Sequence, residues 1–270
     1  MDRKLNDAQK QALVEKLRLE NEAFFAVARS CLKELFEKAR QKNQLHFCFS
    51  LNPEFRGCQG PGFSSTEECF VAINEYISYL QDERNTGRIK IRIGLMFYCH
   101  LSEASGFYEV PKNMLRVVEG KPHILWPFKD IVETHRTTGE KIAPNANKVM
   151  KDLAGHSADL GLMQLAETFK NLFDADLRNG FAHADYVVWP EGILLTKRNG
   201  GEKQFITYER FNHLLNRAVN FFSILHEVIH ESVESYDPPK TFRGKLGDAP
   251  EGDCTVSFLP SSGEFSIRCG

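Results

Sequence analysis

Apolar residues recur every three or four positions over roughly the first 40 residues, at Leu13, Leu17, Phe24, Val27, Cys31, Leu35 and Ala39. That period, set among good helix formers, predicts one long helix with an apolar stripe. A short apolar stretch, Leu45 to Leu51, then meets a loop carrying Asn52-Pro53, Gly57, Gly60-Pro61-Gly62 and Ser64-Ser65. Ser65 and Glu68 form a capping box for a second helix to about Glu83, with Phe70, Ile73, Ile77 and Leu80 inward. From Ile89 to Ala104 two patterns compete. Ile89, Ile91 and Ile93 alternate with charge as in a strand, while Ile89, Ile93, Phe97, Leu101 and Ala104 keep helical spacing; the length favours a helix. A shorter helix over Asn113 to Val118 follows Pro111, and Gly120 to Pro144 reads as an irregular connection. Helices from about Asn145 to Leu153 and from Ser157 to Ala184 come next.

The period then changes. Tyr186 to Trp189, Ile193 to Lys197 and Gln204 to Tyr208 are β-type runs separated by the turn signals Pro190-Glu191-Gly192 and Asn199-Gly200-Gly201. A long helix from about Tyr208 to Ser235 stops at Pro238-Pro239, and a hairpin pairs Thr255 to Leu259 with Glu264 to Arg268 around Pro260-Ser261-Ser262-Gly263. The expected fold class is therefore mainly α, with small β-hairpins. The reading is one mainly helical domain over 1–236 and a tail over 237–270, without internal repeats.

Charge narrows the functions. Against 34 Lys+Arg stand 36 Asp+Glu, a net charge of −2, so no chain-wide cationic field draws nucleic acid or anionic lipid. Such binding needs a local patch. The run Ile93 to Leu101 is about half a membrane span and contains His100, and the opening MDRKLNDAQK lacks the apolar segment of an export signal. A cytoplasmic location away from membranes is expected. Cys31, Cys48, Cys58, Cys69, Cys99, Cys254 and Cys269 are odd in number and form no Cys-x-x-Cys, which suits free thiols. The rival is a Cys58–Cys69 or Cys254–Cys269 disulfide in a secreted chain. The 21 phenylalanines sit at core spacing, and Trp126 and Trp189 flank prolines in loops. Gly57-x-x-Gly60 lacks the lysine and hydroxyl residue of a phosphate loop.

On the helix expected over 157–184, Leu162, Leu165, Ala166, Phe169, Leu172 and Phe173 share a face that continues into Asp176, Asn179, Gly180 and His183. A carboxylate, an amide and an imidazole on a core-facing stripe must satisfy one another or face a cleft. Gly180 among them lets a backbone or ligand approach. The bland alternative is a hydrogen-bonded helix end with a satisfied core histidine.

Arg178-Asn179-Gly180-Phe181-Ala182-His183, followed by Ala184-Asp185-Tyr186, resembles the signature of HEPN domains. The following strands and the helix from 208 also look like bacterial members. A weaker likeness covers Leu95 to Val118, where His100 and Glu103 precede Tyr108-Glu109-Val110-Pro111, so the resemblance spans about 85–236. It implies a helical bundle that pairs as a homodimer and, in many members, cuts RNA without metal or cofactor, in toxin or phage-defence systems. Others only bind nucleotides or a partner protein such as an antitoxin. On this chain His183 would be the general base on a ribose 2′-hydroxyl, its type titrating near neutrality. Arg178 would hold the scissile phosphate and Asn179 would orient either group, with Asp176, His100 and Glu103 in support.

Arg178 and His183 lie about 140° apart on an ideal helix. Either Arg178 reaches round, or the helix distorts near Gly180, or two copies complete each other's sites; the last is preferred. Alternatively, Arg178 makes a surface pair with Asp174. His100 and Glu103 form either a buried ion pair or part of the same cleft.

His226-Glu227-Val228-Ile229-His230 spells H-E-x-x-H, the zinc-peptidase pattern in which two histidines bind metal and the glutamate activates water. Glu231 follows directly, and neither Glu234 nor Glu251 is placed as a third ligand. The wheel sets His226 beside Val219, Phe222 and Ile229 and turns Glu227 away. A half-buried histidine near a helix C-terminus, or one lining the HEPN cleft, are the other readings, and no metal is expected.

Overall fold

The computed structural model describes residues 7–51, 65–82, 84, 86–196, 201–245, 247–248 and 250–270. Cys58, the Gly57-x-x-Gly60 pair and the Asn199-Gly200 part of one turn lie outside the described residues. The helices are α1 (Asp7–Lys42), α2 (Gln44–Leu51), α3 (Ser65–Gln81), α4 (Gly87–Glu103), α5 (Ser105–Val118), α6 (Ala146–Asp159), α7 (Met163–Lys170), α8 (Ala175–Ala182) and α9 (Tyr208–Glu234). The strands are β1 (Glu133–Thr134), β2 (Lys141–Ile142), β3 (Tyr186–Trp189), β4 (Gly192–Leu195), β5 (Gln204–Thr207), β6 (Lys240–Gly244), β7 (Gly252–Leu259) and β8 (Glu264–Cys269). They form antiparallel sheets β1-β2, β3-β4-β5 and β6-β7-β8. The chain is mainly α. No helix among the described residues is long and apolar enough to cross a membrane.

α1 and α9 are the long elements of the core. Leu17, Ala28, Cys31, Leu32, Leu35 and Ala39 are buried on α1, whereas Val27 faces solvent. On α9 Phe211, Leu214, Ala218, Phe221, Phe222, Leu225 and Val228 are buried, at the spacing of one helical face. The same core continues through α5, the sheet β3–β5, and Val256 and Phe258 of the tail.

Polar groups fix how the helices meet. Asn21 donates to the His213 carbonyl, Arg217 Nε donates to Asn21, and His213 Nδ1 donates to the Leu17 carbonyl while Nε2 accepts from Arg217. Between α5 and α6, Lys112 pairs with Asp152 at 2.7 Å and donates to His156 Nδ1, whose Nε2 faces Glu119 at 3.1 Å. Burial first, and then the neighbouring Lys112 or Arg217 cation, hold the His156 and His213 pKa values below the ordinary 6.5; burial alone does the same for His46. The unfolded chain therefore binds protons at a pH where the folded chain resists them. Their stabilising contribution is present above about pH 6.5 and is lost as the pH falls from there toward the depressed folded values. Urea midpoints should fall across that window, and His213→Asn, which keeps a donor for the Leu17 carbonyl, should shed part of the slope.

Four expectations need correction. Pro111 lies inside α5, which starts at Ser105. Burial of Phe107, Tyr108, Val110, Met114 and Leu115 outweighs a proline's cost of about 3 kcal/mol within a helix. The helix expected over 157–184 is three pieces, since residues 157–159 end α6, Gly161 turns the chain at φ 75°, and Asp174 caps α8 by accepting from Leu177 N. Trp189 ends strand β3 instead of lying in a loop. Cys254 and Cys269, opposite each other on β7 and β8, are disulfide-bonded, against the expectation of thiols throughout. Cys31, Cys48, Cys69 and Cys99 are free.

Candidate functional site

The break before α8 resets the phase of its faces. Leu177 and Gly180 are buried, whereas Asp176 is exposed in the first turn and Asn179 is half-buried. The polar groups therefore do not continue the stripe of Leu165 and Phe169. α8 is held to α4 at its start and its middle, because the Tyr98 hydroxyl accepts from Asp174 N at 2.7 Å and the Cys99 thiol donates to the Arg178 carbonyl. Burial pushes that thiol's pKa up to about 11, so it stays protonated in this role. A Cβ at Gly180 would lie 2.8 Å from Leu195 Cδ2. The glycine thus admits β4, not a ligand.

Arg178 reaches away from the end of α8 toward α4. Its guanidinium pairs with Glu103 and donates from Nη1 to Asn179 Oδ1 at 2.8 Å, while Nε is buried without a hydrogen-bond partner. The side chain is 14% exposed. Asp174 is the cap of α8 and not the partner of Arg178. Asn179 thus holds the guanidinium through its side-chain oxygen.

His183 is the C-terminal cap residue of α8, and it is exposed. Its backbone donates to Asn179 O, Ala184 follows at φ 56°, and Asp185 N reaches back to Gly180 O at 2.7 Å. This left-handed closure satisfies the last carbonyls of the helix and fixes the base of the histidine. An exposed imidazole on a fixed cap can give and take protons from a bound molecule.

His100 and Glu103 part company. Glu103 joins Arg178, whereas His100 stacks on Phe97 and lines a groove of about 380 Å³ between α3 and α4 with Ala72, Tyr76 and Met96. Among the described residues the expected ion pair between them does not form. Trp189 and Phe205, which sequence reasoning did not assign to a site, lie exposed on the sheet that follows His183. The alternation of β3 and β5 was the available signal.

The H-E-x-x-H residues sit on α9. His226 stacks on Phe70 with ring centroids 3.7 Å apart, and His230 lies parallel to it and 3.1 Å from Glu234. Glu227 pairs with Arg29 of α1 and Glu231 with Lys33, on the flank away from the rings. The glutamate is thus turned from the histidines, and no group of three metal-ligating side chains occurs among the described residues.

No family model, curated protein or solved structure matches the chain.

Proposed function

We propose that this protein is a metal-independent endoribonuclease of the HEPN type, acting as a homodimer in a toxin or phage-defence setting. The observation that carries the reading is the exposed His183 on the fixed end of α8, five residues beyond an arginine held by Glu103 and Asn179. His183 takes the proton of a ribose 2′-hydroxyl, and the oxygen attacks the adjacent phosphorus. The bond to the 5′-oxygen breaks, that oxygen takes a proton from solvent, and a 2′,3′-cyclic phosphate remains. Arg178 supports the extra negative charge on the phosphoryl oxygens. Arg178 is turned toward α4 in each copy, so the guanidinium of the second copy leaves Glu103 to face His183 when the phosphate binds.

The test is cleavage of labelled single-stranded RNA by the purified chain in excess chelator, with analysis of the new ends. Undiminished cutting to cyclic phosphate ends is expected, and loss of cutting on chelation overturns the mechanism. A second reading, a non-catalytic module that binds nucleotides or a partner protein such as an antitoxin, draws on the Glu103–Arg178 pair, which neutralises the phosphate-binding cation. RNA binding without any cutting selects it.

A further inference from the structure

The sheet that follows His183 has two unlike faces. Val188, Ile193, Leu195 and Ile206 are buried against the bundle. The other face carries Val187, Trp189, Leu194 and Phe205, because side chains alternate along each strand. Val187, Leu194 and Phe205 form one row across the three strands, and Trp189, Gly192 and Thr207 form the next. Trp189 is 53% exposed and Phe205 39%. A Cβ at Gly192 would lie 2.8 Å from Phe205 Cζ and closer still to the Ile206 carbonyl oxygen. The phenyl ring therefore lies over the bare glycine, in the position opposite Trp189. Two aromatic side chains thus stand on one outward face.

The sheet is fastened to the candidate catalytic end of α8, since Thr196 N donates to Asp185 O at 2.8 Å and Leu195 packs on Gly180. β3 spans about 10 Å, which sets the rings a short run of nucleotides from His183. Cations stand on the neighbouring helix α4, where Arg88 lies within electrostatic reach of Tyr208 at the sheet. Arg88 and Arg92 are exposed on the first two turns of α4, a helix with no acidic residue before Glu103. The Tyr208 hydroxyl donates to the Trp189 carbonyl, and its phenol lies within the electrostatic reach of Arg88, with Glu191 of the β3–β4 turn opposing.

We propose that the outer face of β3–β5 is a stacking platform on which Trp189 and Phe205 hold unpaired RNA bases while Arg88 and Arg92 meet the phosphates. Flat rings accept any base, and basic side chains beside them hold the strand, so the fitting ligand is single-stranded RNA of relaxed sequence. This inference rests on the ribonuclease reading and names how its substrate is held.

Trp126 and Trp189 are the two tryptophans, so Trp126→Phe leaves Trp189 as the sole reporter. In that background, combined with His183→Ala so that RNA is not consumed, fluorescein-labelled oligo(U) should bind, and unlabelled oligo(U) should quench Trp189 emission. Phe205→Ala and Trp189→Ala should each weaken binding about tenfold, and Trp189→Phe should retain most of it. Far-UV circular dichroism checks that the variants fold. Unchanged affinity in both alanine variants overturns the platform. So does a change confined to molecular mass in light scattering, which makes the face an interface between copies. RNA that binds the rings but is never cut upholds the platform and removes the ribonuclease reading; cutting with unaltered KM in Trp189→Ala does the reverse.

Discussion

RNA cleavage by the His183→Ala protein should fall by about 10²- to 10⁴-fold, the range lost with a positioned general base. Stability should change little, because the cap is closed by backbone bonds from Ala184 and Asp185. Circular dichroism and a urea titration beside the cleavage assay separate the two effects. Arg178→Ala should also lose cutting, and mixing the two inactive proteins should restore part of it, because one mixed site then pairs an intact His183 with an intact Arg178 from the other copy. Full cutting by His183→Ala ends the assignment. No recovery on mixing means that each site is built within one chain.

Phe222→Ala should cost about 3–5 kcal/mol. Phe222 is fully buried on α9, with its ring 4.6 Å from that of Phe107 and 5.7 Å from that of Tyr108 on α5. Removing it empties the junction of two helices whose backbones are held elsewhere, so the space collapses only in part. Against a total stability of about 5–15 kcal/mol, that loss is large. Urea unfolding followed by far-UV signal reads it, and Phe222→Leu should cost clearly less. A loss below about 1 kcal/mol places the centre of the core elsewhere.

Long segments with one unbroken period were legible in the sequence. α1, α3 and α9 each carry a buried face for several turns, and nothing within them competes with the helix, whereas in α4 the strand-like alternation of Ile89, Ile91 and Ile93 is outweighed by length. The segment from Ser157 to Ala184 misled because Leu162, Leu165, Phe169 and Leu172 keep helical spacing between two breaks that need only Gly161 and a capping Asp174. Once the phase resets, the wheel joining Leu165 to His183 has no physical counterpart. β6 carries no apolar alternation, with Phe242 its one large apolar side chain, and it is set by its pairing with β7.

At the candidate site, Arg178 and Asn179 were legible as neighbours, and they do hydrogen-bond. The partnership of Arg178 with Glu103 was not, because it depends on how α4 lies against α8, and local spacing linked Glu103 to His100 instead. A helix shows its own faces in its letters. It does not show which helix will meet them.

The contacts of Lys112 with Asp152 and His156, and of His156 with Glu119, act as an index mark between α5 and α6. Oily faces forgive slippage, since one leucine fills a gap much as another does. Sliding α6 by a single turn, about 5.4 Å, would strand an ammonium among hydrocarbon with its counter-charges out of reach. Of all the alignments those two helices might sample while assembling, only one leaves every charge accompanied.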